Sequence, residues 1–478
     1  MKHKGRLAIA ILLLLSLATP VQAANVEDCR ISASDNQVVS LGFPLRAERL
    51  ANISKPKILV VPFQLKDTPN FVFTNSMRTD YLTAAENISK FSNGLSSVEF
   101  VFAPTIQTEL TNADMDQLKV NQREQWQKDE TKSTYGFVRK FLSDHDSRLD
   151  YTGISGVILA SSYFPGVAEA FMFWKNPDNP WFRPIDTAEG PINNAVLLDN
   201  HTSQQTITHE IMHMYGLTDL YGTQTGPGRL SLMASNAVNL LSYEKWVLGW
   251  LPNSEVQCFT NVSKTAITNF NFDYTKISQL AVIRAGENED YIVETTVVTG
   301  TRYIAFYRLD NEARPPLTFY KEREQSQIGG SEIEDHTVIG AQLNAREFTV
   351  LVGNLDSSSI TLHLVPSSQA STNEYKDLVS QSAQLKSKIA QEVASKAKAD
   401  ADLKAKQEAD ERAVKAAADL KAKQDAEAKE AADKIAAEQL AATKAAAKKK
   451  ITITCVKGKS KKKVTAIKPK CPSGYKKR

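Results

Sequence analysis

In the stretch THEIMHMYGLTDLYG, Thr208 to Gly222, two histidines stand four residues apart. A glutamate follows the first directly, and an aspartate comes six residues after the second. On a helix, positions four apart share one face, one turn above the other. His209 and His213 can therefore aim their imidazoles at one point, as two ligands of a zinc ion must. Glu210 lies about 100° round the helix from His209, near enough to reach a water at the metal without being a ligand. Gly216 can end the helix by taking a positive φ. The chain then turns back, and Asp219 can bring a carboxylate to the same ion. His209, His213 and Asp219 make a donor set of two nitrogens and one oxygen that leaves a fourth position open. Such an ion lowers the pKa of water toward about 7. Glu210 would take that water's proton as general base, the water would attack a peptide carbonyl, and the proton would pass to the leaving nitrogen. The alternative is an amphipathic helix with two satisfied histidines, and the glycine and aspartate at these spacings weigh against it. His201 reads as a loop or strand-end residue, or as a substrate contact. His145, His336 and His363 read as surface or core residues.

These residues need a scaffold, and the chain of 478 residues, 42 % of them hydrophobic, is long enough for two or more folded units. KILVVPFQL (Lys57–Leu65) and ISGVILASS (Ile154–Ser162) read as buried strands, and SVEFVFA (Ser97–Ala103) alternates like a half-buried one. AFMFW (Ala170–Trp174) and NAVLLD (Asn194–Asp199) are shorter strands. Helical stretches are expected over Ser76–Phe91 and Met115–Ser143, the second with Tyr135, Val138 and Phe141 on its apolar side. Strands alternating with helices predict an α+β or α/β domain over residues 24–252. From 253 to 368 short β-type runs separated by turn residues predict an all-β, sandwich-like domain. Residues 371–450 shift to Ala, Lys, Glu, Asp and Gln without Gly or Pro. ADLKAKQ occurs twice there, at Ala401–Gln407 and Ala418–Gln424. This predicts one long helix, about 110–120 Å if continuous. Leu378, Leu385, Ile389 and Val393 begin an apolar seam that thins to alanine, so a weak coiled coil and a lone charged spacer are both open.

The ends carry their own signals. Lys2, Lys4 and Arg6 precede an apolar run, Leu7 to Ala18, and the small-residue site Val21-Gln22-Ala23. Residues 1–23 therefore read as a secretory signal peptide, too short in its apolar part to span a bilayer. No other segment is long and apolar enough to span. The mature chain is expected to be secreted and extracellular. Export favours pairing of the four cysteines: Cys455 with Cys471 in one short tail and, by elimination, Cys29 with Cys258. None has metal-type spacing. The net charge is only +4, but residues 451–478 are dense in lysine. That tail could hold anionic polymers of a cell envelope and place the protein at the cell surface; nucleic acid is not expected as a partner of an exported chain. A solubilising tail is the bland alternative.

The motif resembles that of the immune inhibitor A family of secreted bacterial zinc metallopeptidases, relatives of the metzincins. The family pattern H-E-x-x-H-x-x-G-x-x-D-x-Y reads HEIMHMYGLTDLY here. RLSLMASNAVNLLSYEKWVLGWL resembles the family's Met-containing turn and the helix after it, which ends in Lys-x-x-Leu-Gly-Trp. The resemblance implies a metzincin-like fold, one catalytic zinc, protein or peptide substrates, and Met233 as the Met-turn residue, a packing floor. It covers roughly residues 55–310 and is dense from His209 to Trp250. The family often has proline where Thr218 stands and an acid where Gly222 stands. Many members carry an acidic Gly-rich stretch suggesting calcium; DHDSRLDYTGISG offers Asp144, Asp146 and Asp150 but fewer acids, which argues against calcium. Tyr221 and Tyr243 are candidates for a transition-state donor, with core packing as the alternative. By analogy, the edge strand that pairs with an extended peptide would be Ala195–Asp199.

Two functions follow. One is a secreted zinc endopeptidase using Glu210 as base. The other is a cell-envelope-attached binding protein whose peptidase fold is inert or secondary, suggested by the long charged helix and basic tail. Another zinc hydrolase is a third, because the motif defines water activation and not the acyl group attacked.

Overall fold

The structure, a computed structural model, describes residues 24–478 apart from 35–36, 125–131, 164–167, 176–181, 200, 222–225, 236–238, 261–265, 272–278, 299–300, 315, 320–341, 345–346, 356–358 and 370. The leader expected over 1–23 and His336 lie outside the described residues. The chain divides into two compact units, 1–390 and 391–478.

The first unit is mixed α and β. Its central sheet runs β2 (Glu99–Phe102), β1 (Lys57–Gln64), β4 (Ile154–Ser161), β6 (Asn194–Leu198), β5 (Ala168–Met172), with the short β3 (Ile106–Gln107) also on β1. All pairings are parallel except β5 with β6. A sheet covered on both faces needs apolar side chains at successive positions, and every residue of β1 after Lys57 is buried. Alternate residues go to opposite sides. Ile58, Val60, Ile158, Val196 and Leu198 pack with Tyr81, Ala84 and Ile88 of α1 (Asn75–Phe91) and with Ile207, Ile211 and Tyr215 of α4 (Gln204–Tyr215). Leu59, Val61, Phe63, Val157, Leu159 and Leu197 pack with Tyr135, Val138, Phe141 and Leu142 of α3 (Thr134–Asp144). The helical stretch expected over Met115–Ser143 is two helices, α2 (Asn112–Glu124) and α3. The hydroxyl of Ser133 caps the second by accepting from Gly136 N–H at 3.2 Å.

The β-type runs after Leu251 form two sheets. One is β12 (Leu317–Phe319), β11 (Thr301–Asp310), β10 (Glu289–Val298), β9 (Leu280–Arg284), β7 (Val256–Phe259). The other is β13 (Gln342–Asn344), β14 (Phe348–Leu355), β15 (Ser359–Pro366), β8 (Ala266–Asn271). The first sheet shares one core with the central sheet: Leu280, Val282, Ile292 and Tyr307 pack in the same cluster as Trp246, Trp250 and Leu251. Two ties reinforce this. Cys29 is disulfide-bonded to Cys258 on β7, and the N–H of Ala24 donates to the Cys258 carbonyl at 2.7 Å.

α6 (Asn373–Ala447) is a single continuous helix of 75 residues. Leu403, Val414, Leu420, Ile435 and Leu440 along it are exposed; the side chains of Leu385, Ile389 and Val393 lie outside those described. The chain closes in a three-stranded sheet, β17 (Ser460–Ala466), β16 (Ile451–Lys457), β18 (Lys476–Lys477), braced by a Cys455–Cys471 disulfide. Among the described residues, no helix is long and apolar enough to cross a membrane.

Candidate metal centre

α4 carries the motif. Ser203 caps its start, its hydroxyl accepting from Thr206 N–H at 3.3 Å. Gly216 ends it in the left-handed region, φ 110°, donating to the carbonyls of Met212 and His213. A side chain at Gly216 would also press on Leu45 and Arg49, 3.2 Å from the place of its Cβ. The segment before β1, polar and irregular on paper, is strapped across this helix end. Ser40 N–H donates to Gly216 O and Leu50 N–H to Met214 O, each at 2.8 Å.

Past Gly216 the chain turns back as the spacing predicts. Asp219 Oδ1 stands 3.1 Å from His209 Nε2 and 3.2 Å from His213 Nε2. The second nitrogen of each ring faces a main-chain carbonyl: His209 Nδ1 is 2.9 Å from Leu232 O, and His213 Nδ1 is 2.8 Å from Leu217 O. A carbonyl only accepts, so both Nδ1 atoms carry the hydrogen. In the neutral rings both Nε2 atoms are then lone pairs, and they point at a carboxylate oxygen that is also a lone-pair donor. Three such atoms at this separation call for a shared electrophile, a proton or a cation. The three ligand atoms lie within 4.8 Å of one another, so the group could hold a metal ion.

With a proton as that electrophile, the electrostatics follow. Burial pushes the Asp219 carboxyl up, but hydrogen bonds from the two imidazoles outweigh it and hold the group far below the usual range. Burial opposes charge on His213, yet Asp219 and Glu210 overcome it and raise its pKa. Glu210 is buried and pushed upward by desolvation, against the pull of both imidazoles.

Glu210, His213, Asp219 and Tyr221 line one cavity of about 400 Å³. No family model matches the chain, and no curated protein does. Among solved structures it is similar to metalloproteinase-II from Bacteroides fragilis, at 15 % identity and a TM-score of 0.23, over 49 % of this chain and 59 % of that one. A likeness that slight has no bearing on the fold or the site.

Met233 is fully buried, and its carbonyl accepts from Leu220 N–H at 2.8 Å, tying it to the residue after Asp219. Tyr221 is exposed and lies over the His209 ring, centroids 6.1 Å apart. Tyr243 does not reach the cavity; it is buried edge-on against Phe43 and Trp246. His201 lines a different cavity with Asp80 and Asp199. His145 stacks on Phe141, and His363 is half-buried on β15. Asp144, Asp146 and Asp150 are engaged apart from one another, by Lys140, Ala188 N–H and Thr152 N–H. The edge expected at Ala195–Asp199 is interior, because β5 pairs along β6 and becomes the edge itself. The cavity wall therefore includes Glu169 and Phe171 of β5, with Tyr135, Val38 and Val39. Nothing in the local pattern of those residues signals a site; strand order brings Glu169 and Phe171 there.

Proposed function

We propose that the chain is a secreted zinc-dependent endopeptidase of metzincin-like fold. The observation that carries this reading is the meeting of His209 Nε2, His213 Nε2 and Asp219 Oδ1 at the wall of a cavity lined by His213, Asp219 and Glu210. Donors about 2.0–2.2 Å from a tetrahedral zinc stand about 3.3 Å apart, close to the 3.1 and 3.2 Å found here. Both rings are fixed by Nδ1 hydrogen bonds to carbonyls, the arrangement that orients histidine ligands. Zinc, when bound, supplies a Lewis acid that polarises the scissile carbonyl and acidifies water.

The chain's own groups do the rest. Glu210 takes a proton from the attacking water and returns it to the leaving nitrogen; its burial raises its basicity for the first step. β5, the edge strand of this sheet among the described residues, lines the cavity and offers main-chain hydrogen bonds to an extended peptide. The Tyr221 hydroxyl stays protonated at neutral pH, since burial and the nearby Asp219 charge push it up to about 12, and so it can donate to a developing oxyanion.

The test is zinc content and casein cleavage by the full-length chain and by Glu210→Gln. The variant should keep its zinc and lose at least about 10²-fold in rate. Full activity in that variant, or a native protein that takes up no zinc, sinks the assignment.

A further inference from the structure

Residues 451–478 hold nine lysines and one arginine and no acidic residue. The sheet they form divides these charges between its two faces and gives the faces different neighbours for them. Register pairs Thr452 with Thr465, Thr454 with Lys463, and Val456 with both Lys461 and Lys476. Cross-strand partners share a face and neighbours in sequence do not. One face therefore presents Thr452, Thr454, Val456, Lys461, Lys463, Thr465 and Lys476. The other carries Lys457, Lys462 and Lys477 around the buried Ile453, the buried Cys455 with its disulfide, and Val464. Val456 is the one apolar side chain among the strand residues of the first face, and the covalent brace lies on the other.

Lys461, Lys463 and Lys476 are exposed. The first two are about 7 Å apart along β17, and Lys476 is about two strand spacings, or 10 Å, from Lys461. The hydroxyls of Thr452 and Thr465 meet at 2.6 Å beside them. We infer that this face is a docking surface for a phosphate-bearing glycopolymer of the cell envelope. Lysine acts as a point charge toward phosphate, and discrete cations on a rigid sheet match a chain that repeats its charge at intervals. The threonine hydroxyls beside them can exchange hydrogen bonds with sugar hydroxyls. The face has no aromatic ring on which bases could stack and no large apolar side chain to enter a bilayer. An exported chain, as the leader leads us to expect, meets such polymers first. The inference is independent of the peptidase reading.

The experiment uses the full-length, oxidised protein and immobilised poly(ribitol phosphate) glycopolymer, with double-stranded DNA and phosphatidylglycerol vesicles as competitors. One variant combines Lys461→Gln, Lys463→Gln and Lys476→Gln. A second, with the same loss of charge elsewhere, combines Lys462→Gln, Lys468→Gln and Lys477→Gln. The native protein should bind the glycopolymer and release it as salt rises. The first variant should bind at least about tenfold more weakly, and the second within about threefold of native. Equal loss in both variants would reduce the effect to net charge and overturn the inference. So would tighter binding to DNA or vesicles, or no binding to the glycopolymer.

Discussion

The imidazole of His209 is bonded through Nδ1 to the carbonyl of Leu232, the residue before Met233, at 2.9 Å. The motif helix and the Met-containing turn are thus joined by one hydrogen bond that also fixes which ring nitrogen faces Asp219. Leu220 N–H to Met233 O closes the same loop from the other side. The donor set is held from three directions before any ion arrives, which is what a tight metal site requires.

It follows that removing one donor should cost metal rather than fold. Asp219→Ala leaves α4 and its caps untouched. It should retain zinc at least about tenfold less tightly than native, with unchanged circular dichroism. Competition against a chromophoric chelator measures the affinity; equal affinity would show that Asp219 is no ligand.

Tyr221 is the cavity tyrosine that lies over the His209 ring, and its hydroxyl can donate without titrating at neutral pH. Tyr221→Phe keeps the ring over His209 and removes the donor. We expect kcat to fall by about 10²-fold, with KM and zinc content little changed. A loss confined to KM would assign the side chain to substrate binding instead.

Much of this was legible in the residues. The four-residue spacing of the histidines, the helix-ending glycine and the returning aspartate need only local geometry. The apolar runs of β1, β4 and β6 announce a doubly covered sheet. Strand order was not legible, because β5 becomes the edge only by pairing with a strand that follows it in the chain. Glu169 reaches the cavity for that reason, and neither it nor Tyr135 of α3 carries a local mark. Glu244 and Glu294 carry no local mark of burial in the sequence. Both are fully buried, because each satisfies main-chain donors at the start of α5 (Ser242–Val247). Glu244 accepts from Leu241 N–H, and Glu294 accepts from the N–H groups of Ser242 and Tyr243.

Those buried acids predict the pH dependence of stability. Burial pushes Glu244 up to about 8 and Asp290 up to about 7. Glu294, also raised by burial, and Lys245 stand beside Glu244. An acid whose folded pKa is raised binds its proton more tightly in the folded chain. Stability is then greatest below the unfolded value near 4 and is lost as pH rises toward the folded value. Lys245, lowered by burial to about 8, acts only above that value and in the opposite sense. Between pH 5.5 and 7 Lys245 stays protonated and the raised acids set the trend, each contributing a slope of at most about 1.4 kcal/mol per pH unit, while His213, raised, and His363, lowered, act in opposite senses. The urea midpoint should therefore be higher at pH 5.5 than at pH 7, and Glu244→Gln should flatten the difference. A midpoint that rises with pH over this range would contradict the assignment.

The Cys29–Cys258 bridge joins residues 229 apart in sequence, and so closes a very long loop in the unfolded chain. Both cysteines are fully buried among Val256, Leu280 and Val282. In the chain-entropy picture such a bridge acts mainly by restricting the unfolded state, and its loss costs roughly 2–5 kcal/mol. The N-terminal strap is also involved, because the bridge anchors the segment that runs from Cys29 to Ser40 and Leu50 at the end of α4. The double variant Cys29→Ser/Cys258→Ser should melt several degrees lower than native and lose zinc at lower temperature. The Cys455→Ser/Cys471→Ser variant, whose loop spans 16 residues, should leave zinc retention unchanged. Differential scanning calorimetry with a zinc indicator separates the two effects. Equal zinc retention in both variants would show that the first bridge stabilises the fold without supporting the metal site.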